Sequence, residues 1–161
     1  MAVVFIDTSV LCNFLRIPGK AQHGDTVHND YQRRRAAGDT FVLPLATVIE
    51  TGNHIEQLQE SLGHERRRCA EDLTRILRLV ASGSEPWVLV ETEWNRELLE
   101  QFCDGGTSNP STPSFTEAAT QGALGGGDLA ILIERSRFAR RVAEQDVQIW
   151  TYDQQLDAWT L

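Results

Sequence analysis

Ala2-Val3-Val4-Phe5-Ile6-Asp7-Thr8-Ser9-Val10-Leu11 is the stretch on which the fold turns. Its apolar run from Ala2 to Ile6 stops on an acid, and beyond it Val10, Leu11, Phe14 and Leu15 fall on one helical face. An unbroken apolar run this short suits a strand buried on both sides, and its direct passage into a helix begins a βα unit. The rhythm repeats downstream. Pro18-Gly19 breaks the first helix, and a polar helix is expected over 25–37, ending at Gly38. Thr40-Phe41-Val42-Leu43 reads as a second strand, running through Pro44 into a helix over 45–62 with Gly63 as its stop. Cys69, Leu73, Ile76, Leu77 and Val80 form a stripe that turns the next helix to the core. Trp87-Val88-Leu89-Val90 reads as a third strand, and 92–103 as a helix packed through Trp94, Leu98 and Phe102. A helix over 128–143, a strand over 147–151 and a short helix over 153–159 complete the pattern. Alternation of this kind predicts an α/β protein with a mostly parallel sheet covered on both faces. At 161 residues it is expected to be a single domain.

Residues 104–127 depart from the pattern. Ser, Thr, Gly and Pro dominate, and only Phe115, Ala118-Ala119 and Leu124 offer anchors. The segment reads as an insertion that flanks a site and ends on the glycines before Asp128.

Composition narrows the function classes. No stretch approaches the roughly 18 apolar residues of a membrane span. The start lacks the basic flank of a signal peptide, so the cytoplasm is the expected location. Cys12, Cys69 and Cys103 are odd in number and widely spaced, which predicts reduced, mostly buried thiols rather than a zinc site or disulfides. A net charge of -8 weighs against binding nucleic acid by bulk electrostatics. The triplets Arg33-Arg34-Arg35 and Arg66-Arg67-Arg68 read either as phosphate grips or as solvated helix faces. His23, His28, His54 and His64 show no metal-ligand spacing, and no GxGxxG, P-loop or GxSxG motif is present.

The chemistry rests on Asp7, Glu50, Asp128 and Asp153, each beside an apolar strand or in the first turns of a helix. A parallel α/β sheet delivers such positions to one edge, where ligands bind. Clustered carboxylates there call for a hard cation, so Mg²⁺ or Mn²⁺ is the expected cofactor, suited to phosphodiester hydrolysis. Asp7 and Asp128 are the leading direct ligands, with Asp153 a third carboxylate and Glu50 a holder of a second ion or of metal-bound water. Thr8, Ser9 and Thr151 are placed to orient a carboxylate or a water. Asn53 and His54, three and four residues after Glu50, are alternative substrate or water contacts, and Asp157 rivals Asp153. Taken singly, Asp7 and Asp128 read as helix caps worth about 1 kcal/mol. The case is the ordered conjunction of all four.

These positions carry a family resemblance. Phe5-Ile6-Asp7-Thr8-Ser9-Val10-Leu11 resembles the opening strand and Asp-Thr/Ser turn of PIN-domain nucleases. Pro44-Leu45-Ala46-Thr47-Val48-Ile49-Glu50 is similar to their second motif, Asp128-Leu129-Ala130-Ile131 to their third, and Ile149-Trp150-Thr151-Tyr152-Asp153 to their terminal strand and Thr-x-Asp. The resemblance implies a three-layer α/β/α sandwich and an Mg²⁺- or Mn²⁺-dependent endoribonuclease whose acidic pocket is Asp7, Glu50, Asp128 and Asp153. Many small members are toxins of toxin–antitoxin pairs, which implies an RNA substrate, an antitoxin protein and a homodimer as expected partners. The long insertion and the Thr51-Gly52-Asn53 that follows Glu50 depart from the family pattern. A non-catalytic PIN-like module that binds RNA or protein is the alternative, and a phosphomonoester hydrolase is disfavoured because the Asp7-Thr8-Ser9 turn lacks a second Asp.

Overall fold

A computed structural model describes residues 1–107 and 110–160. The sheet has three strands, β1 (Ala2–Ile6), β2 (Thr40–Val42) and β3 (Asp146–Trp150), in the order β2-β1-β3. Both pairings are parallel: Phe5 stands opposite Val42 and Ile149, and Ile6 opposite Trp150. The α/β class and the parallel sheet therefore hold. Helices α1 (Thr8–Phe14) and α2 (Gly24–Ala36) join β1 to β2. The return to β3 runs through α3 (Leu45–Glu56), a 3-10 turn (Glu60–Leu62), α4 (Gly63–Ala81), α5 (Arg96–Asp104), α6 (Phe115–Thr120) and α7 (Gly126–Arg141), and α8 (Gln154–Asp157) follows β3.

Alternation along β1 divides the interior. Val4 and Ile6 join Val10, Leu11, Val27, Cys69 and Ile76 in one cluster; Phe5 points the other way, to Ala118, Ile131, Leu132, Ile149 and Leu156. The sheet is thus covered on both faces, and β1 is buried as its composition requires. Helix α7 is buried over Ile131–Ser136, including the charged Glu134 and Arg135. No helix among the described residues is long and apolar enough to cross a membrane.

Several expectations need correction. The helix after β2 ends at Glu56, and Gly63 opens α4 instead of stopping its predecessor, with an ordinary helical φ of -57°. Residues 87–90 form no strand; Trp87 alone bridges to Phe41, because β2 is three residues long and Phe41 is its one residue whose N–H and C=O turn to that edge, pairing with Pro86 O and Val88 N. Trp94 is 81% exposed, since α5 begins only after its cap Asn95 and Trp94 lies ahead of the helix. Cys12 and Cys69 are buried free thiols, whereas Cys103 is exposed. Of the expected 104–127 insertion, residues 108 and 109 lie outside the described residues, as does 161. The rest is more than a loop: Gly106 and Thr112 form a bridge, and Ser114 and Glu117 close a capping box on α6. Phe115 stacks on Phe102 at 5.0 Å, and Ala118 and Leu124 are buried.

Candidate functional site

Strand register builds the site. The chain leaves β1 for β2 on one side, and β3 arrives on the other, so the carboxyl ends of β1 and β3 flank a topological switch point. Asp7 is the first residue beyond β1, its N–H donating to Trp150 O at 3.1 Å, which brings Thr151 alongside. Asp7 is 2% exposed. Its Oδ2 accepts from Ser9 N (3.2 Å), Ser9 Oγ (2.6 Å) and Thr151 Oγ1 (2.8 Å), capping α1 and locking the carboxylate. Thr151 Oγ1 in turn accepts the Asp153 N–H at 2.9 Å. Asp153 caps α8 through Oδ1, which accepts from Gln155 N and Leu156 N.

Glu50 reaches the same place from α3. Buried Thr47, one turn before it, donates to Ile6 O at 2.8 Å and pins α3 to the end of β1. Thr8 Oγ1 donates to Glu50 Oε2 at 2.7 Å. Asp128 lies inside the first turn of α7, not ahead of it: the helix begins at Gly126, and Asp128 Oδ2 accepts the Gly125 N–H at 3.1 Å. Gly127 matters by omission, because a Cβ there would run into the Glu50 carboxylate.

Asp7, Glu50, Asp128 and Asp153 line one open cleft of about 500 Å³ together with Thr8, Ser9, Lys20, His23, His54 and Tyr152. Burial pushes the Asp128 carboxyl up to about 6, and the charges of Asp7, Asp153 and Glu50 push the same way against the Gly125 N–H. The acids therefore feel one another. Each commits one oxygen to structure. Among the described residues Asp7 Oδ1, Glu50 Oε1, Asp128 Oδ1 and Asp153 Oδ2 take no hydrogen bond, and none of them is sealed from solvent. Capping and a role in the cleft are thus compatible in Asp7 and Asp153. Among the described residues no three His, Cys, Asp or Glu side chains share a ready ligand point.

Some sequence expectations fall elsewhere. Asn53 is exposed and outside the lining, whereas His54 lines it; three- and four-residue steps fall on either flank of Glu50, about 100° apart, and the four-residue step turns to the cleft. Asp157 is exposed and accepts from Thr160, leaving the place to Asp153. None of the described residues of the insertion lines the cleft; Gly125 serves it by its N–H to Asp128, and Gly127 by the room it leaves Glu50. Within the arginine triplets, Arg33, Arg34, Arg67 and Arg68 pair with carboxylates, and none of the six arginines lines the cleft. Lys20, His23 and Tyr152 in the lining were not singled out from the sequence. Lys20 is the chain's only lysine, which was the available cue. Burial lowers the His54 pKa, with Lys20 acting in the same direction and Glu50 against it.

No protein-family model matches this chain, and neither do any curated protein or solved structure.

Proposed function

We propose that this chain is a metal-dependent endoribonuclease that hydrolyses RNA phosphodiester bonds on a PIN-like three-layer α/β/α sandwich. The observation that carries the reading is the carboxylate arrangement: four acids from separate elements reach one cleft at a switch point, each with one oxygen held and the other uncommitted. An all-oxygen, anionic donor set suits Mg²⁺ or Mn²⁺. Magnesium is usually held by one or two carboxylates and keeps several waters, so the lack of a three-side-chain cage among the described residues is compatible with it. Asp7, Asp128, Asp153 and Glu50 would hold the ion. When bound, the ion supplies a water made nucleophilic near neutral pH and neutralises the leaving oxygen. The chain's own part is orientation: Ser9 and Thr151 fix Asp7, Thr8 fixes Glu50, and the Gly125 N–H fixes Asp128.

The toxin reading, with an inhibitory protein partner and a second copy of the chain, follows from the sequence resemblance. Leu45 and Ile49 on α3, 65% and 53% exposed beside Glu50, are apolar surface that a partner would cover. A non-catalytic binding module is the second reading, favoured by the same lack of a ready three-ligand point.

The deciding experiment incubates purified protein with single-stranded RNA and Mn²⁺, and follows the melting temperature across a Mn²⁺ titration. Cleavage should fall by more than about 100-fold in Asp7→Asn and Asp128→Asn, beyond the 10- to 100-fold typical of residues that only orient a ligand. Wild type should gain about 2.7 kcal/mol at 100 times the dissociation constant. RNA binding with no cleavage and no metal-dependent melting shift would leave the binding module standing instead.

A further inference from the structure

Two of the rings that line the acidic cleft stack on each other. Tyr152 packs half-buried against the core, and the imidazole of exposed His23 lies flat on it, centroids 4.9 Å and planes 8° apart. Among the described residues no other ring stacks on His23, and the residue is exposed. Both positions are fixed from the helix that Asp7 caps. Tyr152 N donates to Ser9 Oγ at 2.9 Å, and that hydroxyl donates to Asp7 Oδ2. His23 N donates to Oδ1 of buried Asn13 at 2.7 Å, and Asn13 Nδ2 donates to Ser9 O at 2.8 Å. The distance from the stack to Asp7 is therefore set by hydrogen bonds through Ser9. Lys20 lines the same cleft, and its positive charge is felt at both His54 and Cys12.

Resting on the nuclease reading, the geometry points to a nucleobase platform: one base of a single-stranded RNA stacks on the outer face of His23, and Lys20 meets a backbone phosphate of the same strand. A flat ring backed by a second ring serves any base, because every base presents a π-face. A small phosphate ester would have no use for the platform. A base inside a duplex could not reach it while stacked on its neighbours. The subsite thus selects an unpaired strand without selecting its sequence.

The test compares equilibrium binding of a labelled hexauridylate with that of an abasic ribose-phosphate hexamer of equal charge, in Ca²⁺ to keep the strand uncut. Wild type should prefer the base-bearing strand by at least about fivefold, the lower end of base–aromatic stacking. His23→Ala should erase that preference and leave the abasic affinity unchanged, and His23→Phe should retain it. Folding should survive in both variants, because the bond to Asn13 is made by the main chain; unchanged melting temperatures check this. Equal binding of the two strands by wild type, an equal loss on both strands in His23→Ala, or failure of His23→Phe would overturn the platform. If wild type binds both strands alike yet still cuts RNA, only the platform falls. If it binds neither, the nuclease reading falls with it.

Discussion

Glu134 and Asp128 stand six residues apart on α7, and both carboxyls are pushed up, yet for different ends. Asp128 opens on a cleft where a cation can relieve it. Glu134 is 8% exposed inside the helix packing, and burial raises it to about 7 against the hydrogen-bonding influence of Thr92 and the Leu45 backbone. Its folded pKa lies above the ordinary 4.5, so the native state holds the extra proton between those values. Stability therefore falls as pH rises from about 4.5 to 7, and the penalty is complete above 7. Glu134→Gln keeps an acceptor without the charge. It should stabilise the protein at pH 8 by up to about 3 kcal/mol, taking 1.36 kcal/mol per pKa unit, and by nothing at pH 4. Urea melts at the two pH values measure this, and an equal effect at both would mean that Glu134 acts through packing alone. Asp7, Glu50, Asp128 and Asp153 were legible because each borders an apolar run or opens a helix. Glu134 was not, because its setting within Leu129–Arg137 reads as a helix continuing, and nothing local says that its face is buried.

Gly127 shows how an element carries the site. It lies in the first turn of α7, where a Cβ would meet the Glu50 carboxylate arriving from α3. The obstacle is the end of a flexible side chain, so Gly127→Ala should fold. Helix propensity would then favour it by about 0.5–1 kcal/mol, while Glu50 is pushed away from Asp128. The expected outcome is an unchanged or slightly raised melting temperature in the absence of metal, with weakened Mn²⁺ stabilisation and slower RNA cleavage. If metal response and cleavage both stay at wild-type level, Glu50 has no place in the site. Elements themselves were readable where periodicity met a partner. The run 2–6 pairs on both sides, but 87–90 has the composition of a strand and finds only Phe41. Helix α6 was missed although Ser114 and Glu117 carry the spacing of a capping box, since the surrounding Ser, Thr and Pro outweighed a six-residue helix.

At the scale of the molecule, charge sets how a polyanion can arrive. The chain carries -8 overall, and among the described residues Lys20 is the only Lys or Arg in the cleft lining. The arginine triplets are largely engaged by neighbouring carboxylates, with Arg68 alone bridging Glu65 and Asp72. Counterion release from a single strand scales with the number of phosphates neutralised, giving a slope of about -0.7 per contact in log affinity against log salt. A nuclease that meets RNA through one lysine should therefore show a slope of kcat/KM near -0.7 at fixed saturating Mn²⁺. Screening of repulsion between the acidic surface and the strand pulls the slope flatter still. A protein that gripped RNA through both triplets would instead lose affinity steeply with salt. The measurement is cleavage of a short single strand from about 20 to 200 mM monovalent salt, spanning Debye lengths of roughly 20 to 7 Å. A slope steeper than about -3 would return Arg33–Arg35 and Arg66–Arg68 to the substrate path, and Lys20→Ala would then change it little. With a shallow slope, Lys20→Ala should remove most of the salt dependence that remains, because no other lysine or arginine lines the cleft among the described residues.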